Sequence, residues 1–311
     1  MISGALARRL SDGMMFHMLS PKSLVSGFVL LSSLSAFAPF AAAQSPAAAP
    51  FVTHSIKDNV SYVEGGGGNS GVIVGKKGVI VIDAKTTPAG GKELIGDIAK
   101  LTPEPVTTVI LTHSDGDHVN GLAAFPMGIS IVAQQNDKKE QDAALAAGGR
   151  GAPPADHPPN KLISKNDDRL KVDGVTIELL HWAPAHTSGD LVVFLPKQKI
   201  VFTGDIITSR QEPLIHLEKN GSTAGWVETA KGIIALDADV FIPGHGDPMT
   251  KADVQKKLSD AEAKLAKTKD LIAQGKSLEE VKTAVGDPAP VAGRPGFASF
   301  AEVIYREQTK K

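Results

Sequence analysis

From residue 51 onward, apolar and β-branched residues come in short runs separated by glycine, proline and charged residues. Runs of this kind predict buried strands. Residues 61–63, 71–74 and 78–83 form the first three, and the Gly75-Lys76-Lys77-Gly78 stretch between the last two predicts a hairpin turn. The period changes over residues 88–101, where Leu94, Ile95, Ile98 and Leu101 fall on one helical face. Residues 106–111 are almost wholly apolar or β-branched, which predicts a strand buried on both faces. Further strands are predicted at 170–172, 175–180, 190–195, 199–202 and 239–242, with an amphipathic helix at 226–236. From 251 to 285 the pattern is helical and highly charged, with Leu258, Ala261, Leu265, Leu271 and Ile272 on one side, as in a solvated outer helix. Residues 134–165 are polar and then rich in glycine and proline, which predicts a surface insertion, a helix followed by a flap. Strands alternating with helices on both sides of that insertion predict an α/β fold.

The first 43 residues follow a different pattern. Arg8, Arg9 and Lys22 precede an apolar stretch over 24–40, and Ala41-Ala42-Ala43 ends it before Gln44. This layout predicts a secretory signal peptide over 1–43, followed by an Ala/Pro linker over 44–50. The expected destination is the periplasm or the exterior, with no stable membrane insertion after cleavage. The chain contains no cysteine, so neither disulfides nor thiolate metal ligands exist. Its 311 residues carry a net charge of −1, without the basic excess of a nucleic-acid binder. The expected partner is a small-molecule substrate.

The candidate chemistry begins at Thr112-His113-Ser114-Asp115-Gly116-Asp117-His118, just after the strand predicted at 106–111. Alternate residues of an extended chain share a face, so His113, Asp115 and Asp117 can converge, and a turn at Gly116 can bring His118 round. Imidazole and carboxylate are the usual ligands of catalytic zinc when thiolate is absent. Three more ligand-type residues stand beside predicted strand ends near glycine. They are His186 in Ala185-His186-Thr187-Ser188-Gly189-Asp190, Asp205 in Thr203-Gly204-Asp205, and His245 in Pro243-Gly244-His245-Gly246. One strand-end histidine is usually structural. Four such placements in one chain point to a metal site.

This ordered set resembles the metallo-β-lactamase superfamily, whose motif is His-x-His-x-Asp-His followed by a His, a bridging Asp and a last His. The resemblance covers residues 61–247. It implies a four-layer αββα sandwich spanning 51–250, with the residues from 251 to 311 as a C-terminal helical extension packed on the same domain. It also implies two divalent metal ions, zinc in the first instance. His113, Asp115 and His186 would hold one ion, Asp117, His118 and His245 the other, and Asp205 would bridge them. A metal-bound hydroxide would be the nucleophile, with Asp117 as the catalytic residue that orients it or handles its proton. The implied function is an exported hydrolase that opens an ester-like or amide-like bond, in a lactone, thioester or β-lactam. The absence of cysteine excludes the lactamase subclasses that use a cysteine ligand.

The sequence departs from the family pattern at Asp115, where the second histidine is usual. Two divalent cations against three carboxylates leave one positive charge, and a bound hydroxide cancels it. A less positive site lowers the pKa of bound water less. Carboxylate also suits iron or manganese better than imidazole does. Acidic residues at this position resemble the flavodiiron branch, so an iron-dependent redox enzyme related to the flavodiiron or sulfur dioxygenase branches is one alternative. Residues 251–311 are too few for the flavodoxin-like domain of the full reductase. A non-catalytic metal-binding protein is the other alternative.

Outside the motif, His216 is a candidate substrate contact, since its loop should approach the site. His157 and His181 are expected to be ordinary loop histidines, and Trp182 and Trp226 core or rim. Asp190 is expected to accept the second ring N–H of His186, and Asp83, at a strand end on the same edge, to play a similar part. Substrate pockets are expected from loops 65–71, 134–165 and 209–222.

Overall fold

The computed structural model describes residues 50–149, 152–164, 168–209, 212–287 and 297–309. The expected signal peptide, and all of the expected linker but Pro50, lie outside them. Strands β1 (Val52–Lys57), β2 (Val60–Glu64), β3 (Ser70–Val74), β4 (Val79–Ile82), β5 (Val106–Ile110), β6 (Ser130–Gln134) and β7 (Lys161–Ile163) form a seven-stranded sheet in sequence order. β1 to β4 pair antiparallel and β4 to β7 pair parallel. The change follows the connections. β3 and β4 are joined by a hairpin closed by Gly75 N–H donating to Gly78 O at 2.8 Å. β4 reaches β5 through helix α1 (Pro88–Leu101), the long crossover a parallel pair requires. The second sheet contains β8 (Asp168–Val172), β9 (Val175–Leu180), β10 (Val192–Leu195), β11 (Ile200–Phe202) and β12 (Val240–Ile242), in the order β12-β11-β10-β9-β8. β11 and β12 run parallel, joined by a crossover containing helix α4 (Thr223–Ala235), and the other pairs are antiparallel.

Alternation along the strands builds the layers. Ile80 and Ile82 point between the sheets, where they meet Ile177, Leu179, Val193 and Leu195. Val79 and Val81 point the other way, onto Leu94 and Ile98 of α1. On the second sheet, Val192 and Phe194 face outward against Trp226, Ala230 and Ile233 of α4. Successive side chains of a strand face opposite sides. Two sheets with apolar residues on both faces therefore need a helical cover on each, and the four-layer αββα sandwich results.

The C-terminal residues belong to the outer cover. Helix α5 (Lys251–Ala273) begins with a capping box between Thr250 and Asp253. It buries Val254, Leu258 and Ala261 in the same core as Phe300, Val303 and Ile304 of α7 (Phe300–Thr309). The helical pattern over 251–285 is broken by Gly275, at φ +78°, into α5 and α6 (Leu278–Val285).

Residues 134–165 depart from the expected surface insertion. They begin with helix α3 (Gln135–Ala147) and contain β7, which pairs with β6 in the first sheet. Between them Asn160 fastens the chain to the sheet, with Nδ2 donating to Ile129 O at 2.8 Å and Oδ1 accepting from Ile131 N–H at 2.9 Å. His157 is buried, its Nε2 2.9 Å from Phe125 O. Pro153 and Pro159 are buried on this return to the sheet edge.

Candidate metal centre

Loops at one edge of the sandwich carry the candidate residues. The β5 strand ends at Ile110, and Leu111 and Thr112 lead into His113. Asp115 then caps a single turn, α2 (Gly116–Val119), which returns His118 beneath the loop. His186 lies between β9 and β10, Asp205 just beyond β11, and His245 just beyond β12. Ligand crevices form at the carboxyl ends of strands in this kind of sheet.

The hydrogen bonds behind the rings fix which nitrogen faces the cleft. Asp83, held at φ +61° after β4, accepts from Thr112 N–H at 2.8 Å and from Thr112 Oγ1 at 2.7 Å. Its Oδ2 also lies 2.8 Å from His118 Nδ1, which donates to it. Thr112 Oγ1 has spent its proton on Asp83, so it accepts from His113 Nδ1 at 2.9 Å. His186 Nδ1 donates to Leu214 O at 2.8 Å, because a carbonyl can only accept. In each neutral ring the proton therefore sits on Nδ1, and Nε2 presents a lone pair to the cleft.

These lone pairs converge on carboxylates. His118 Nε2 stands 3.3 Å from Asp205 Oδ1 and 3.7 Å from Asp117 Oδ2. His245 Nε2 stands 3.0 Å from Asp117 Oδ2 and 3.4 Å from Asp205 Oδ2. His113 Nε2 and Asp205 Oδ1 are buried without a hydrogen-bond partner. Two donors each about 2.0–2.1 Å from a tetrahedral zinc are separated by about 3.3 Å. The donor spacing, the orphaned atoms and the mix of imidazole and carboxylate all fit divalent cations. Two triads have this geometry: Asp117–His118–His245, as expected, and His113–His186–Asp205, where Asp205 takes the place expected of Asp115; Asp205 lies beside both.

Asp115 has a different setting. Its Oδ2 lies 3.2 Å from His186 Nε2, 3.1 Å from His216 Nε2 and 3.7 Å from His113 Nε2. Its Oδ1 is ion-paired with Lys219 Nζ. Lys219 also donates to Ser114 Oγ at 2.9 Å, and Ser114 Oγ donates to Glu140 of α3 at 2.6 Å. Lys219 adds one positive charge to those of the metal ligands. Its ammonium restores the positive charge that a carboxylate in place of imidazole removes.

Burial and charge act together in the pocket. Burial opposes charge on His186, but Asp115, Asp205 and Asp190 outweigh it and push the ring up to about 9. His245 is likewise pushed up to about 9 by its contacts with Asp117 and Asp205. Burial would raise Asp115, yet His186, His216 and His113 hold it far below the usual carboxylate range. Without a metal, this cage draws protons onto His186 and His245, while burial and the neighbouring His118 hold His113 well below its ordinary value.

One expected contact is absent. Asp190 does not receive the second N–H of His186, which Leu214 O takes instead. Asp190 accepts from Thr187 N–H at 3.0 Å and Thr187 Oγ1 at 2.8 Å, and so shapes the loop rather than the ring. His181 Nδ1 donates to Asp190 O at 2.8 Å. Trp226 is core, its Nε1 donating to Ile206 O at 2.6 Å beside Asp205. Trp182 packs, partly buried, against that same core.

Sequence reasoning missed two lysines. Lys219 is the first. Lys85, wholly buried at φ +77°, is the second. Its Nζ donates to Val63 O at 2.6 Å and Gly68 O at 2.9 Å, and burial lowers its pKa to about 7 despite Asp83 nearby. Lys85 thereby holds the glycine run against the site. A Cβ on Gly68 would stand 2.1 Å from His118 Cε1, and one on Gly244 1.8 Å from Asp205 Oδ1. Only glycine permits either approach. Two cavities flank the metal residues. One, of about 310 Å³, is lined by Gly65, Gly67, Asn69 and His245, and the other, of about 480 Å³, by Asn136, Glu140, Lys219 and Asn220. Parts of the three expected substrate loops line them.

Residues 63–245 match the family model of the metallo-beta-lactamase superfamily. The chain belongs to that superfamily. It is 22% identical over 194 residues to the 2,4-dinitroanisole O-demethylase subunit alpha of Nocardioides sp. (strain JS1661), covering 62% of this chain and 57% of that protein. It is 21% identical over 248 residues to the linear primary-alkylsulfatase of Pseudomonas sp. (strain ATCC 19151), covering 65% of this chain and 44% of that one. The chain thus spans about half the length of these curated relatives. The crystal structure of the DIM-1 metallo-beta-lactamase superposes with a TM-score of 0.59 at 22% identity, over 70% of this chain and 99% of that one.

Proposed function

We propose that the chain is an exported metallo-hydrolase that binds two divalent metal ions and opens an ester-like or amide-like bond in a small molecule. The observation that carries this reading is the convergence of Nδ1-protonated imidazoles and three carboxylates at one strand edge, with His113 Nε2 and Asp205 Oδ1 left unpartnered. Two cations held there would polarise an oxygen of the scissile group and make water acidic enough to react near neutral pH. The mix of imidazole and carboxylate suits zinc, and Lys219 offsets the charge of Asp115. Export rests on the 1–43 segment alone.

The residues divide the work. Asp83, Thr112 and Leu214 O orient the imidazoles, as hydrogen bonds behind a metal site do. Asp117 is about one-third exposed, and with Oδ2 turned to His245 its other oxygen is left to orient the reacting water or take its proton. The relatives named above act on an aryl ether, a sulfate ester and a β-lactam by their names, so the test is a panel. Metal-loaded protein is offered nitrocefin, an acyl-homoserine lactone, a glutathione thioester, a phosphodiester and sulfate esters. The expected result is turnover of at least one, abolished by chelation and restored by metal. Turnover indifferent to chelation contradicts the reading.

A further inference from the structure

We propose that His216 is a metal ligand: with Asp115 and His186 it completes a cation position, supplying the imidazole that the chain lacks at position 115. This rests on the metallo-hydrolase reading and adds a residue from a loop that the family motif does not include.

Three observations carry it. First, the ring is buried and its inner nitrogen is unpartnered. His216 is 6% exposed, and its Nε2 lies 3.1 Å from Asp115 Oδ2 without forming a hydrogen bond. Nε2 is thus a buried donor atom with no partner of its own, 3.1 Å from a carboxylate oxygen, and a cation beside both would satisfy it. Second, the tautomer is set from behind. Glu218 accepts from His216 Nδ1, the carboxylate-behind-imidazole arrangement that supports metal-bound histidines. Third, the partners converge. Asp115 Oδ2 lies 3.2 Å from His186 Nε2 as well, and one ligand atom each from Asp115, His186 and His216 falls within 4.8 Å of the others.

Each atom of Asp115 then has a separate task. Oδ1 binds Lys219, and Oδ2 is left to the imidazoles. The backbone brings His216 there deliberately. His216 N–H donates to His186 O at 2.8 Å, and Ser188 N–H donates to Lys219 O at 2.9 Å, so the two histidine loops are bound to each other. The ring packs edge-on to His186 at 4.8 Å between centroids.

The test is cobalt binding to metal-free protein, followed by competition with a chelator and by the visible absorption band of Co²⁺. His216→Ala, Glu218→Gln and, as a reference, His113→Ala are compared with wild type. Circular dichroism of the metal-free proteins checks that each folds. The expected result for His216→Ala is a more than about 100-fold weakening of one of two bound cobalt ions, with a changed absorption band. Glu218→Gln is expected to weaken the same ion by about 10-fold, the scale of groups that support a ligand from behind. A His216→Ala protein that binds two cobalt ions with wild-type affinity and spectrum overturns the proposal. Should His216→Ala not fold, Glu218→Gln with unchanged affinity and spectrum overturns it equally. If wild type and His113→Ala alike bind no cobalt, it is the metallo-hydrolase reading that fails.

Discussion

The ring of His118 donates through Nδ1 to Asp83 Oδ2 at 2.8 Å, and this bond turns its Nε2 toward the cleft. Asp83 is itself held by both Thr112 N–H and Thr112 Oγ1, so one carboxylate orients two histidines, His118 directly and His113 through Thr112. Asp83→Asn leaves a neutral acceptor in place of the carboxylate, with an N–H₂ where Oδ1 or Oδ2 accepted. Metal affinity is expected to fall by about 10- to 100-fold, measured by chelator competition. Unchanged affinity would separate Asp83 from the metal site.

Lys219 sets the charge of the first metal position. Lys219→Met removes an ammonium paired with Asp115 and leaves the site more negative by one charge. A more negative site lowers the pKa of bound water less. The acidic limb of the pH–rate profile should therefore move upward, by up to about one unit given the partial exposure of Lys219. A limb that stays in place would show that Lys219 serves the loop alone.

How much of this was legible in the sequence depends on whether spacing carried the signal. His113 to His118 announced themselves because four ligand-type residues fell within one turn and strand end. His186, Asp205 and His245 did so because each stood beside a predicted strand end with glycine nearby. The α/β class followed from β-branched runs alternating with helical patterns, and the sandwich from the family resemblance. His216 and Lys219 had no such spacing, and what they touch depends on a loop fold that periodicity does not encode. Lys85 carried no signal in the sequence, since its burial depends on the positive φ at that turn and on carbonyls such as Val63 O from another strand. β7 was hidden for a related reason, because glycine and proline in 148–154 outweighed a three-residue edge strand.

Gly244 tests the close packing around Asp205. A Cβ there would overlap Asp205 Oδ1 at 1.8 Å and the Gly204 carbonyl carbon at 2.7 Å. Gly244→Ala must push Asp205 aside. The expected cost is about 1–3 kcal/mol of stability from overpacking and on the order of 100-fold in activity from a displaced ligand. Thermal unfolding and turnover measure the two separately.

Protons and metal compete for the same nitrogens. His186 and His245 are pushed up to about 9 in the metal-free protein, above an unfolded value of about 6.5. Their protonation therefore stabilises the metal-free fold below about pH 6.5, and that contribution is lost as pH rises through about 9. Buried Lys85, lowered to about 7, works in the opposite direction, but it does so with or without metal. The rise in Tm on adding zinc should accordingly grow from pH 6.5 to pH 9. A Tm increment that is flat or falls across this range contradicts the assignment of these rings as ligands.

The measurement closest to the central claim is metal content against turnover in one preparation. Protein stripped by chelator and dialysed against zinc should retain two ions per chain by elemental analysis. Asp117→Asn should keep metal and lose most of the turnover of whichever substrate the panel identifies. Protein that retains no metal after dialysis, or that turns over substrate equally well when stripped, contradicts the account.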